Sequence, residues 1–411
     1  MLGPKSNFQI IMKLPIDNKS LCAVLIVLII MVSLSSVIIV SELKNSDDGT
    51  QGSYQVLARV NTEGSGIYIK SSVLVERGGQ GAFYNTSTYE VTTANKAAWG
   101  GLIVGTPGAA TIQHVQMQQI VQKAGLQFTL YQDGQPTDNE HVYYVATMSN
   151  ATTVIGYTGQ LDAGILWEPQ YSKIVDTDGF SQLVLTNNLF PGHTCCNIVG
   201  VKSYTQSHSD ETERFLAAYV KAAQYVQYAV ANPSSAEYAN LINIAKNVVG
   251  SSVEQSTIEE ALQNITYTYA DDVTGSLDDL ESDIAALADS LIDMGLLQHN
   301  LKDLGFNYSS QFAKAFVDNS YLQHAIDRDP AASDASAIIT VAVIAGDIHQ
   351  IAVHVAKELG YYEDYNLTVN LSSATNGPGV AVAVQNGTAQ FGVLGAPPAT
   401  STTINSKLIQ A

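Results

Sequence analysis

The stretch from Leu102 to Leu130 constrains the fold class more than any other part of the chain. Leu102-Ile103-Val104 is a short apolar strand running into Gly105-Thr106-Pro107-Gly108. Ile112, Val115, Gln119, Ile120 and Ala124 then share one stripe at helical spacing, with Gly125 as a natural stop. Leu126, Phe128 and Leu130 alternate as the next strand, and Ala163 to Leu166 gives another that ends in Trp167-Glu168-Pro169. Strand, helix and strand in repetition need crossovers, and these build a parallel sheet with helices on its faces. Upstream, Tyr54 to Lys70 reads as extended structure interrupted by a turn at Asn61-Thr62-Glu63-Gly64.

From Ser209 the pattern turns helical. Asp210, Glu211 and Glu213 occupy a first turn, and Phe215, Tyr219, Ala222 and Val226 recur at helical spacing. Thr257 and Glu260 form a capping-box pattern, while Leu280, Ile284, Leu287 and Leu291 make a core stripe closed by Gly295. This block ends near Ile326, and a polar linker, Asp327 to Ser336, follows. Strand and helix signals then return at Ile338 to Ile344, Gln350 to Leu359, Leu367 to Leu371, Val380 to Val384 and Phe391 to Leu394. Mixed α/β structure brackets a helical block.

Leu21 to Val40 is a run of twenty residues without a charge, about the length that crosses ~30 Å of hydrocarbon as a helix. Lys5, Lys13 and Lys19 precede it and Glu42, Asp47 and Asp48 follow, which puts the N-terminus inside and the rest of the chain outside. The expected location is the cell membrane, single-pass, with the folded domain extracytoplasmic; the small residues Ser33, Ser35 and Ser36 leave a cleaved signal peptide as the alternative. A net charge of −19 excludes a phosphate-backbone partner, so no nucleic acid is expected. Three cysteines are too few for a disulfide framework, and stability must come from packing.

Two blocks of sequence carry a family resemblance. TVAVIAGDIHQIAVHVAKELGYYEDYNLTVNL and GTAQFGVLGAPPATSTTIN, in the last seventy or so residues, resemble the opening third of the nitrate/sulfonate/taurine (NMT1-like) solute-binding proteins of ABC importers. VLARVNTEGSGIYI, GLIVGTPGAATIQHVQMQQIVQKAGL, LDAGILWEPQ and HTCCNIVGVKSY resemble the remaining two thirds. The order is reversed, as in a circular permutation, which closely spaced exposed termini tolerate. The alternative is a truncated tandem array. The resemblance implies an α/β, two-lobed periplasmic-binding-protein-like (type II) fold with a hinge and an interlobe cleft. The implied division is a cytoplasmic N-terminus (1–20), a transmembrane anchor (21–41) and a tether (42–53). The second part of the binding domain (54–326), a permutation linker (327–337) and the first part of the domain (338–411) follow.

In that family the ligand lies between the lobes, where strand ends and helix N-termini converge. The resemblance therefore implies ligand contacts at three strand-to-helix junctions: Gly346, Asp347, His349 and Gln350; Gly395 and Ala396; and Thr106, Gly108 and Thr111. Asp347 is equally suited to cap its helix. Trp167 and Glu168 end a strand in the family's WEP position, and Glu63, Gly64 and Ser65 lie on a hinge-crossing strand. His193-Thr194-Cys195-Cys196 is the most chemically suggestive cluster, with His193 and Cys195 as candidate ligand contacts. Buried strand thiols, a vicinal disulfide and a soft-metal site are the three readings. Alternation would put Cys195 and His193 on one face and Cys196 on the other.

The implied function is capture of a small organic or anionic solute (sulfonate, nitrate or taurine-like, or heterocyclic) without catalysis, cofactor or metal. The implied partners are ABC permease and ATPase subunits and the membrane, with the protein itself a monomer. One rival is a ligand-sensing ectodomain working with a separate membrane partner. The other is a thiamine-pyrimidine-synthase-like enzyme, which would need a cofactor-binding lysine and a richer cysteine motif than this single pair.

Overall fold

The computed structural model describes residues 52–109, 111–270, 279–328, 330 and 335–411. The apolar run Leu21–Val40, most of the tether and five residues of the linker lie outside these. Among the described residues no helix is long and apolar enough to cross a membrane.

Twelve strands form two six-stranded sheets among the described residues. Lobe I contains β1 (Tyr54–Glu63), β8 (Thr194–Val201), β9 (Ile265–Tyr267), β10 (Ala337–Ile344), β11 (Leu367–Ala374) and β12 (Phe391–Gly395), in the order β11-β10-β12-β8-β1-β9. Lobe II contains β2 (Ser65–Lys70), β3 (Ile103–Gly105), β4 (Gln127–Leu130), β5 (His141–Val145), β6 (Ala163–Trp167) and β7 (Phe180–Leu185), in the order β4-β5-β3-β6-β2-β7.

The two sheets are built alike. In lobe I, β10 pairs parallel with β11 and β12, and β12 then meets the antiparallel strand β8. In lobe II, β3 pairs parallel with β5 and β6, and β6 then meets the antiparallel strand β2. The antiparallel strands are those that cross between lobes. β1 passes into β2 through Gly64, and β7 passes into β8 through the short helix Thr186–Leu189 and His193. The crossings are tied together where Glu63 N–H donates to the His193 carbonyl at 3.2 Å and Gly192 N–H donates to Glu63 Oε1 at 3.0 Å.

The last seventy-odd residues share a core with the rest of lobe I. Phe391 of β12 stacks on Phe215 of the helix Ser209–Ala231 with ring centroids 4.4 Å apart, and Phe215 stacks in turn on Tyr362. Aromatic pairs of this kind add about 0.5–1.5 kcal/mol beyond the area they bury. β1 is buried along nine of its ten residues, as a strand covered on both faces must be.

Three local expectations are corrected. Asn61 and Thr62 are strand rather than turn, because β1 has partners on both edges, Asn61 facing Cys196 of β8 and Tyr267 of β9. Thr257 does not cap a helix. The helix Gln255–Gln263 starts after Glu254, and the Thr257 hydroxyl donates instead to Asp176 Oδ2 of lobe II at 2.9 Å. The helical block is also interrupted by β9, a three-residue strand too short to show a period.

Candidate functional site

The carboxyl ends of the parallel strands of both lobes point at one another. From lobe I come Ile344-Ala345-Gly346 after β10, Thr375-Asn376-Gly377-Pro378 after β11, and Gly395 with Pro398 after β12. From lobe II come Pro107, Gly108 and Thr111 after β3, Thr147, Ser149 and Asn150 after β5, and Trp167 with Gln170 at the end of β6. All of these except Gly377, Gly395 and Pro398, which line its inner extension, line a cleft of about 540 Å³. An inner extension of about 90 Å³ shares Thr111, Trp167, Ile344, Asn376 and Pro378 with it and reaches Ile112, Gln113, Asp347, His349, Cys195 and Cys196.

Two helices begin at this cleft, one from each lobe. Thr111 Oγ1 accepts from His114 N–H at the start of Ile112–Lys123, and Asn376 Oδ1 accepts from Gly379 N–H at the start of Gly377–Gln385. Each cap satisfies one free N–H of its helix and leaves the positive end of the backbone dipole toward the cavity.

Of the residues singled out in the sequence, Gly346, Asp347, His349, Gly395, Gly108, Thr111, Trp167 and Cys195 line the cleft or its extension. The others do not. Gln350 is fully buried, accepting from Ile344 N–H and donating to Asp347 Oδ2 and the Val393 carbonyl. Thr106 is buried 3.0 Å from His114 Nδ1, and Ser65 accepts from Gln113 Nε2 at 2.8 Å. Glu168, at 0% exposure, is held by Ser172 and Asn264 beneath the cleft rather than in it. Glu63 and Gly64 belong to the hinge, and Ala396 and His193 line a different cavity. Three of these misplacements have one cause, since a polar side chain next to a strand end is as often spent on closing the backbone turn as on a ligand.

Residues that the sequence reading missed are Asn376, Pro378, Thr147, Ser149, Asn150 and Gln170. Asn376-Gly377-Pro378 carried a usable signal, because it is a third strand-to-helix junction with the turn chemistry of the other two. The cysteine pair also departs from simple alternation. Thr62 faces Thr194 and Asn61 faces Cys196, so the pairing slips at Cys195, and both thiols reach the inner extension. Both are buried and free, 3.8 Å apart. Among the described residues no group of three or more His, Cys, Asp or Glu side chains is placed to hold a metal ion.

His349 joins the lobes. Its Nδ1 lies 2.9 Å from Asp347 Oδ1 and its Nε2 lies 2.9 Å from the Gly64 carbonyl oxygen. Both neighbours are acceptors, so both ring nitrogens donate and the ring is an imidazolium. Burial by itself would push its pKa down, but the Asp347 carboxylate, with Cys195 and Glu168 behind it, outweighs burial and holds it up at about 9. The Gly64 carbonyl also accepts from Glu168 N–H at 3.0 Å. Burial pushes the Glu168 carboxyl up to about 7, against the hydrogen bonds from Asn264 and Ser172.

Both shifts act on stability in the same direction. A group whose folded pKa is raised contributes stability that is complete below its unfolded pKa and is lost as pH rises through the folded one. For Glu168 the window runs from 4.5 to about 7, and for His349 from 6.5 to about 9. Below pH 6.5 the buried His114 and His354, whose pKa values burial holds down at about 4, oppose Glu168 because they cost stability as pH falls, so the net fall is expected above pH 6.5, by on the order of 3 kcal/mol up to pH 9 as His349 loses its proton. Glu168→Gln should steepen the rise in stability between pH 4.5 and 6.5 and leave the fall above pH 7 in place. A flat profile between pH 7 and 9 in the native protein would contradict the buried imidazolium.

Solved structures similar to this chain include the periplasmic nitrate-binding protein NrtA from Synechocystis PCC 6803, at 14% identity over 68% of this chain and 68% of that one, with a TM-score of 0.45. A ligand-binding component of an ABC-type import system from Staphylococcus aureus with zinc bound is 10% identical over 69% of this chain and 76% of its own, with a TM-score of 0.41. The alkanesulfonate-binding protein SsuA from Xanthomonas axonopodis pv. citri bound to MOPS is 16% identical over 59% and 70%, with a TM-score of 0.35. No curated protein matches the chain. The model of the NMT1-like family matches residues 29–243, more than half of the chain, and the protein belongs to the NMT1-like family.

Proposed function

We propose that this chain is the extracytoplasmic solute-binding component of an ABC importer, tethered by the Leu21–Val40 segment and delivering its solute to separate permease and ATPase subunits. The observation that carries this reading is the meeting of strand ends from two lobes around one cleft with two crossing strands as a hinge. Such a cleft closes only if the solute makes contacts on both sides. The binding role needs no catalysis or cofactor.

The lining narrows the solute. Thr111, Thr147, Ser149, Asn150, Gln170 and Asn376 offer uncharged donors and acceptors, and Trp167 offers an aromatic wall. No Lys or Arg is among the described lining residues, and the charges of His349 and Asp347 are spent on each other. This chemistry favours a small organic solute with a flat, hydrogen-bonding face over a bare inorganic anion. Trp167→Ala should weaken such a solute by about 1–3 kcal/mol, read by calorimetry, with little change in melting temperature. Unchanged affinity would remove Trp167 from the site.

The same reading takes residues 338–411 as the family's opening segment moved to the end of the chain. Its support is that β10, β11 and β12 lie in one sheet with β1, β8 and β9 and supply half of the cleft's strand ends.

A further inference from the structure

A second cavity of about 160 Å³ lies on the seam between the lobes, apart from the loops that form the cleft. One wall is the helix Ile112–Lys123 of lobe II, and the other is the helix Asp279–Asp293, whose Leu280, Ile284 and Leu287 pack in the lobe I core. His193, at the second hinge crossing, closes one end.

Three polar atoms face this cavity with no partner in the protein. Gln116 is 2% exposed, and neither its amide nitrogen nor its amide oxygen is hydrogen-bonded. Leaving such a group buried and unpaired is among the costlier things a core can do, so the pairing is expected to come from elsewhere. His193 supplies the third atom. Its Nδ1 lies 2.7 Å from the Phe190 carbonyl oxygen and must donate to it, and burial pushes the ring's pKa down, so the ring is neutral. Its Nε2 is then a bare acceptor, and it too has no partner. Asp283, on the same wall, adds a carboxylate whose Oδ2 already takes Arg59 and Thr194.

We infer that this seam cavity is a second ligand site, for a small uncharged molecule with adjacent N–H and C=O groups, such as a primary amide or a substituted urea. The three unmet atoms ask for one acceptor opposite Gln116 Nε2, one donor opposite Gln116 Oε1 and one donor opposite His193 Nε2. An amide edge meets the first two at once, and its second N–H, or the second nitrogen of a urea, meets the third. Anions are disfavoured, because two of the three atoms are acceptors and Asp283 stands beside them. A volume of 160 Å³ is that of about five waters at ~30 Å³ each, which suits a molecule of roughly this size. Since one wall belongs to each lobe, a molecule held here binds one arrangement of the lobes better than another and biases hinge closure.

The test uses the full-length protein in detergent, with acetamide and N-methylurea as probes and acetate as the isosteric anion, read by saturation-transfer NMR and calorimetry. Both amide probes should bind at millimolar concentration and acetate should not. Gln116→Leu keeps the side-chain volume and removes the unpaired amide, so it should hold or raise the melting temperature while weakening both probes at least tenfold. Trp167→Ala, in the cleft, should leave them unchanged. The inference fails if no amide binds the native protein, if only water can be detected in the cavity, or if Gln116→Leu binds as before. It also fails if Trp167→Ala alone abolishes probe binding, which would place the amide in the cleft and leave the cleft reading intact.

Discussion

A chain ending at residue 329 will not fold. It lacks β10, β11 and β12, half of the six strands of lobe I, and leaves β8 as a bare edge where β12 had paired along Phe391 to Gly395. Phe215 loses Phe391 and Tyr362, the rings stacked on its two sides. An apolar edge of this kind is a template for aggregation. The shortened protein should have no near-ultraviolet circular dichroism and should precipitate. The converse rearrangement should succeed. Tyr54 and Ile409 are buried in the same core cluster of lobe I. A chain that begins at Ile338 and runs from Ala411 into Tyr54 through a short linker should therefore reach the native fold within about 2 kcal/mol, since a changed loop costs little. A cooperative, monomeric protein ending at residue 329 would mean that the C-terminal segment starts a second module.

The second large effect is expected at Gly64. Its φ is +85°, a region that costs an L-residue with a side chain roughly 1–2 kcal/mol. A Cβ there would also lie 2.3 Å from His349 Nε2 and 2.6 Å from Ile265 Cγ1, closer than packed atoms can approach. The imidazole is not free to yield, because it is fixed by Asp347 on one side and the Gly64 carbonyl on the other. Gly64→Ala should therefore cost roughly 2–5 kcal/mol in urea denaturation, combining backbone strain with overpacking. A cost below about 1 kcal/mol would mean that the lobes are not joined through this contact.

The α/β class and nine of the twelve strands were legible from hydrophobic period and turn chemistry, whereas the two-part composition of lobe I came only from the family resemblance. Val104, Ile165, Val343 and Val393 each sit in short apolar runs bounded by Gly or Pro, and all four are buried strand residues. What was not legible follows from pairing over long distances. Asn61 and Thr62 look like turn residues until β8 and β9 claim both edges of the strand. The same limit applied to the site. Sequence marks Glu168 and His349 equally as polar residues at strand ends. Only the packed structure shows that Glu168 is enclosed by Ser172 and Asn264 while His349 reaches across 285 residues of chain to the Gly64 carbonyl. Thr147, Ser149 and Asn150 carried no signal because their loop becomes a cleft wall only once β5 lies beside β3.

The central claim is that a small solute is held between the lobes against Trp167. The chain has two tryptophans, and Trp99 has no exposure in the lobe II core, so Trp167 is the emitter that a cleft ligand can touch. The most direct measurement is tryptophan emission of the full-length protein during titration with a panel of small organic solutes, paired with calorimetry on each. The expected result is a saturable emission change for the solutes that bind, lost in Trp167→Phe while Trp99 still emits. A solute that binds by calorimetry, leaves the emission untouched and binds Trp167→Ala equally well would contradict it.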